Sequence, residues 1–399
     1  MSTYQVFFGK EPAGPDFYDV LAKLEIEENA DLPDAISLQL PVSAADGELT
    51  WVGQDRIGPY SNIAVVVTSD DGDPQCIFDG YVLSSKIHMP AGPAGATVDV
   101  WGQDASVLMG LEEKVREWSG MTDSAVANQI FASYDGMTPA PDNTLDDTPA
   151  HSEDEHTLMQ RGSDIAFLQR LARRTGRWCR IICTGTPGQR VGYFALPSLT
   201  GDPAVTIDLN DPAKASTTVL DFSWDVARPT SVSARQASLA DADQDGVSAD
   251  TADSGLPPLD ARGLRDFAGR TMNVILTAAA DSAELPGRAR SVLREAGWFA
   301  RCEGTAGLAV LKQVLRVGSV AAVEGVGSLL SGPYLVWSVR HTITTQSHTM
   351  AFVLVRNAVG PAPAPAGDSL PASPGMTATP ATGAVRPRPS RLAGGGPDG

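Results

Sequence analysis

Three kinds of residue grouping in the sequence could do chemistry. Asp241-Ala242-Asp243-Gln244-Asp245-Gly246 places oxygen donors at alternate positions ahead of a glycine, which is how a calcium loop begins. The twelfth position of such a loop needs a bidentate glutamate and here is Ala252, so the stretch reads as a solvated acidic loop. Gly367-Asp368-Ser369-Leu370 spells a lipase nucleophile motif, but it stands in a segment with nothing to pack and no histidine follows to act as base. His88, His151, His156, His341 and His348 show no ligand spacing. His151 and His156 flank Glu153, Asp154 and Glu155 in a polar loop, where protonation is favoured but metal binding has no support. Cys76, Cys179, Cys183 and Cys302 are scattered and read as buried thiols. Cys179 and Cys183 share a predicted strand that holds them about 13 Å apart, too far for a disulfide or a common zinc ion. Carboxylates are plentiful enough to leave a glycosidase pair open, although most fall in turns and on polar faces. There is no phosphate loop, dinucleotide fingerprint or GxSxG elbow, so no catalytic residue, cofactor or metal is expected.

The bulk properties narrow the classes further. A net charge of -18 over 399 residues argues against a general binder of nucleic acid or of anionic membranes, because phosphate contacts need clustered Lys and Arg. No secretion signal begins at Met1-Ser2-Thr3-Tyr4, and the longest apolar runs, such as 273–280, fall short of the roughly 20 residues that span a bilayer. Synthesis in the cytoplasm, without stable membrane insertion, is expected.

The elements that must position these residues are mostly strands. Residues 4–9, 22–27 and 35–40 alternate apolar and polar side chains, and with 62–68, 77–88 and 96–101 they predict an antiparallel barrel or sandwich over 1–103. Val107, Leu108, Leu111 and Val115 lie at helical spacing, Asp123 stands as a cap before a second helix, and Ser163 precedes a third that stops at Gly176. Arg170, Arg173, Arg174 and Arg177 line its outer side as a solvated face. A hairpin over 178–196 completes an α+β middle segment, 104–214. Residues 215–236 and 310–360 supply a second β domain, interrupted over 237–309 by an acidic loop and a helix carrying Leu285, Ala289, Val292, Leu293 and Ala296. Beyond Gly360 the Pro, Ala and Gly content of 361–399 leaves nothing to bury and predicts a disordered tail.

The clearest period lies between Val317 and Arg356, where three apolar, β-branched runs separated by Gly325, Gly332-Pro333 and Thr344–Ser347 predict a three-stranded meander. A similar order of elements occurs near the N-terminus: Gly80-Tyr81-Val82 and Gly332-Pro333-Tyr334-Leu335 each open a long strand that ends near a histidine and returns through another. The two make a weak internal repeat. The stretch "GVGSLLSGPYLVWSVRHTI" with its final apolar strand ending in arginine, Phe78-Asp79-Gly80-Tyr81-Val82, and Gln160 to Ala172 stand in the order found in baseplate hub proteins of contractile injection machines. Over residues 1 to 360 the chain resembles the phage late-control-D proteins and the hub portion of VgrG-type spike proteins.

The resemblance implies a β-dominated α+β chain with two related antiparallel, tube-like β-barrel domains. It implies a non-enzymatic homotrimer whose six similar units join a threefold spike to a sixfold inner tube, in a phage tail or tail-like particle assembled in the cytoplasm with other baseplate components. Nothing after Gly360 could form the neck or needle of the longer spike proteins, so a separate spike protein is implied, and no nucleic-acid contact is required. A wall- or carbohydrate-active enzyme on a β scaffold, and a monomeric module binding through its acidic surface, are the alternatives.

Overall fold

The computed structural model describes residues 3–45, 48–69, 72–91, 95–144, 148–151, 157–209, 217, 219–236, 247–277 and 282–360. The compact unit is Met1–Ala362. His156, the acidic run 153–155, the calcium-like stretch 241–246, and the tail with its Gly367–Leu370 motif lie outside the described residues.

The first segment forms β1 (Thr3–Phe8), α1 (Pro15–Val20), β2 (Lys23–Asn29), β3 (Ala35–Pro41), β4 (Asn62–Thr68), β5 (Gln75–His88) and β6 (Thr97–Asp104). Leu24 and Ile26 of β2 are fully buried while Lys23, Glu25 and Glu27 point the other way, as the two-residue period of a strand requires. Pro15 opens α1, where no amide hydrogen is needed, and Phe17 pins the helix into the core.

The middle segment contributes β7 (Glu113–Trp118), α2 (Asp123–Phe131), β8 (Leu158–Ser163), α3 (Asp164–Thr175), β9 (Trp178–Cys183) and β10 (Arg190–Ala195). The helix predicted from Val107 to Val115 is absent: a 3-10 turn, Ala105–Gly110, leads into β7, where Val115 is exposed and pairs with Arg161 of β8. An apolar spacing over two turns cannot separate a helix from a turn and strand whose partner lies far along the chain. The cap of α2 is Thr122, whose Oγ1 accepts from Ala125 N, while Asp123 occupies the first turn and is buried.

The third segment forms β11 (Val205–Asp208), β12 (Leu220–Trp224), β13 (Ser231–Gln236), β14 (Val247–Thr251), β15 (Asn273–Thr277), α4 (Leu285–Ala296), β16 (Ala300–Gly307), β17 (Val320–Glu324), β18 (Gly332–Ile343) and β19 (His348–Arg356). Strands β14, β13 and β15 make a small separate sheet, and Leu285, Ala289 and Leu293 of α4 share its core with Val232 and Ala234. Thus 231–236, grouped above with the second β domain, and 247–251, read above as loop, build a side layer instead. Alternation identifies a strand but not the sheet that takes it.

Apart from β7–β8 and β9–β10, which form small sheets of their own, the remaining strands build one open sheet rather than two closed barrels. Thirteen strands, the two-residue Glu11–Pro12 included, run in the order β12-β16-β19-β18-β2-β3-β6-β5-β4-β1, with β17 paired to β18 and β11 to β17. The halves meet where β18 pairs antiparallel with β2, Val339 opposite Glu28, Arg340 opposite Glu27 and His341 opposite Ile26. One apolar cluster continues across that joint, from Val6 and Phe17 through Ile26 and Val339 to Val355. No helix among the described residues is long and apolar enough to cross a membrane.

Each half has the same strand order. In the first, β2-β3-β6-β5-β4-β1 are neighbours; in the second, β12-β16-β19-β18-β17-β11. All these pairs are antiparallel except β17 with β11, which is parallel where β4 with β1 is antiparallel. The long strands β5 and β18 each carry a bulge against their partners, between Val82 and Ser84 and between Val336 and Ser338. A bulge shifts the register by one residue and bends the strand, so its recurrence fixes the alignment of the halves: Val82 corresponds to Val336.

Candidate functional site

Buried charge concentrates where the β18–β2 joint meets the middle segment. Glu28, near the end of β2, accepts from Arg316 Nε at 2.7 Å, and Arg180 of β9 lies 3.9 Å away on its other oxygen. Arg180 also donates to Asp34 Oδ1 at 3.2 Å, and the Asp34 backbone N–H donates to Asp104 Oδ2 at 2.7 Å. Arg316 reaches on to the Cys76 carbonyl at 2.8 Å, which also accepts from Cys183 Sγ at 2.6 Å. Burial would raise the Glu28 carboxyl, but Arg316, His341 and Arg180 outweigh it and hold it at about 2. Asp34 and Asp104 go the other way, pushed up by burial in spite of the nearby Arg180.

Two predicted histidines come together beside this network. The hairpin closed by Thr344 N donating to Ser347 O places His341 Nδ1 and His348 Nε2 3.0 Å apart, with His341 Nε2 3.4 Å from Glu28. Burial, and then His341, depress His348 to about 3. A neutral His348 that shares a hydrogen bond with its neighbour is a packing group rather than an acid catalyst at neutral pH.

The other sequence candidates are held apart. His151 stays in its predicted polar loop but is buried there, with Nε2 2.8 Å from Asp123 Oδ1, and Arg174 donates to the same oxygen at 2.8 Å. Arg177 is likewise buried, so two of the four arginines read as a solvated face are structural. His88 is exposed at the end of β5. All four cysteines are free thiols; burial pushes Cys179 to about 12, and the hydrogen bond at Cys76 together with burial pushes Cys183 up. Sequence spacing missed Glu28, Arg180, Arg316 and the Asp79–Arg190 pair at 2.7 Å, because each partner lies on a different segment. A cleft of about 910 Å³ between the middle segment and the second half is lined by Trp178, Trp224, Trp298 and Trp337, with no histidine among its lining residues.

What stays open is surface. The outer half of β5, Leu83 to His88, is exposed throughout, with Leu83 and Ile87 each 40% accessible. Trp224 at the end of β12 is 58% accessible. No described strand pairs with the outer edge of either stretch.

A β-dominated chain with a duplicated strand order and an interlocked polar centre has the fold of phage tail proteins. The solved structures it is similar to include a tail protein from Neisseria meningitidis (TM-score 0.62, 13% identity, covering 89% of this chain and 97% of that one). A 43 kDa tail protein of a Shewanella oneidensis prophage gives a TM-score of 0.59 at 14% identity, covering 89% and 98%. A component of the E. coli type VI secretion system, described as structurally similar to the T4 tail proteins gp27 and gp5, gives 0.52 at 12% identity, covering 86% and 76%. No family model and no curated protein matches the sequence.

Proposed function

We propose that this chain is a structural baseplate hub of a contractile, phage-tail-like injection system. Three copies form a ring that joins a threefold spike to a sixfold inner tube, with each copy supplying two look-alike β units. The observation that carries the reading is the repeated strand order with its matching bulge, because a trimer can offer six similar seats only if each chain folds two of them. The likeness to tail proteins and to a type VI secretion component supports the setting.

The interior supports a structural role as well. Glu28, Asp34 and Asp123 are tied to arginines or backbone amides in the core, where they brace one segment against another. The spike is a separate protein and the tube grows from one rim. Light scattering of the purified chain, followed by electron microscopy with its spike and tube proteins, tests the proposal. Threefold rings at a tube end are expected; a monomer that joins neither partner would refute it.

A further inference from the structure

The strand pairing that joins the halves inside one chain has a counterpart that a single chain leaves unmade. Because Val82 corresponds to Val336, Lys86 stands where Arg340 stands, Ile87 where His341 and His88 where Thr342. The other side follows through the ladders. Ile26 pairs with Ile36 and Ile36 with Gly102, while Phe222 pairs with Cys302 and Cys302 with Leu354; Gly102 and Leu354 both lie opposite the residue that precedes the bulge. Phe222 therefore stands where Ile26 stands, Asp221 where Glu25 and Ser223 where Glu27. Within the chain, His341 faces Ile26, Arg340 faces Glu27 and Thr342 faces Glu25.

We infer that Leu83–His88 of one copy pairs antiparallel with Leu220–Trp224 of a second copy, Ile87 opposite Phe222 and Lys86 opposite Ser223, repeating between chains the joint that β18 and β2 make within one. This rests on the hub reading and deepens it by naming the edges that close the ring.

Three observations converge on these edges. Each lacks a described strand partner, and an uncovered edge carrying Leu83, Ile87 or Trp224 is one that folded monomers avoid. At the positions corresponding to Ser85 and Ile87, Val339 and His341 are fully buried where β2 lies alongside, and the β5 strip, exposed throughout, has no such neighbour. Charge is complementary too: in this register His88 lies opposite Asp221 with Lys86 on the adjacent diagonal, much as Arg340 faces Glu27 at 2.8 Å in the internal joint. Each copy carries one edge of each kind, so the contact is heterologous and closes into a ring when the rotation per copy allows.

Paired cysteines test the register in the full-length chain: Lys86→Cys with Ser223→Cys, and Ile87→Cys with Phe222→Cys. Consecutive antiparallel pairs alternate in type, so one of the two is a non-hydrogen-bonded pair with Cα atoms about 4.5 Å apart, within reach of a disulfide. Lys86 and Ser223 are both exposed, so that double variant folds. Oxidation should give covalent dimers and trimers from at least one pair, above the background of the unsubstituted chain, and none from Lys86→Cys with Asp225→Cys, which is out of register. Lys86→Glu should weaken self-association by on the order of tenfold, and Asp221→Lys in the same chain should restore it. Trimers by light scattering without a cross-link from either pair, or with one from the offset pair, overturn this pairing and leave the ring reading on another surface. A chain that stays monomeric and uncross-linked, alone and with spike and tube proteins, overturns both.

Discussion

Glu28 takes its guanidinium partner from a residue 288 positions away, so the pair exists only once the two halves of the chain have met. Removing its charge leaves Arg316 without its carboxylate, while Arg180 keeps only Asp34. Glu28→Gln should therefore lower stability by roughly 3–5 kcal/mol in urea unfolding; a loss under about 1 kcal/mol would place the pair in solvent. His348 sets a pH dependence through its folded value of about 3. The unfolded histidine takes up its proton near pH 6.5, so between these values the folded chain binds fewer protons. Stability present above about pH 6.5 is lost as the pH falls toward 3. Asp34, raised to about 7, works in the opposite sense over the same window, so the His348 contribution is read as a difference: the midpoint of thermal unfolding of the native chain should fall relative to that of His348→Gln as the pH drops from about 6.5 toward 3. None of these contacts was legible from spacing. His348 lies seven positions after His341, which is no ligand pattern, and only the hairpin over Thr344–Ser347 turns them toward each other.

The strands themselves were largely legible, because burial on a pleated surface imprints a period of two. The alternation in Ala35–Pro41 and the apolar run at Met350–Val355 marked their strands within a residue or two. Partner choice was not: the edge of β18 that meets β2 looks, residue by residue, like any other alternating edge, and closed barrels were expected in place of one continuous sheet. Close approach leaves a sharper mark. A Cβ at Gly80 would lie 2.1 Å from the Gln103 carbonyl oxygen, across the β5–β6 ladder next to the bulge, whereas one at Gly263 would meet nothing within 4 Å. Gly80→Ala should cost roughly 1–3 kcal/mol by forcing the two backbones apart, while Gly263→Ala should leave the unfolding midpoint nearly unchanged. Equal effects at the two positions would mean that the ladder is looser than this packing requires.

At the scale of the molecule, a core continuous from Val6 to Val355 and one sheet through both halves make them a single cooperative structure. Calorimetry and circular dichroism should give coincident, single transitions for the full chain. Two resolved transitions would show that the β18–β2 joint fails to couple the halves. The repeat is not perfect, however. Strand β17 takes a parallel neighbour, β11, where β4 takes the antiparallel β1. Around the proposed ring this would make unlike seats alternate, so a sixfold tube would meet three seats of each kind and its identical subunits would have to dock in two slightly different ways. On that reading the tolerance for two docking modes belongs to the tube subunit, whose contact surface would have to accept both the parallel and the antiparallel version of the same rim.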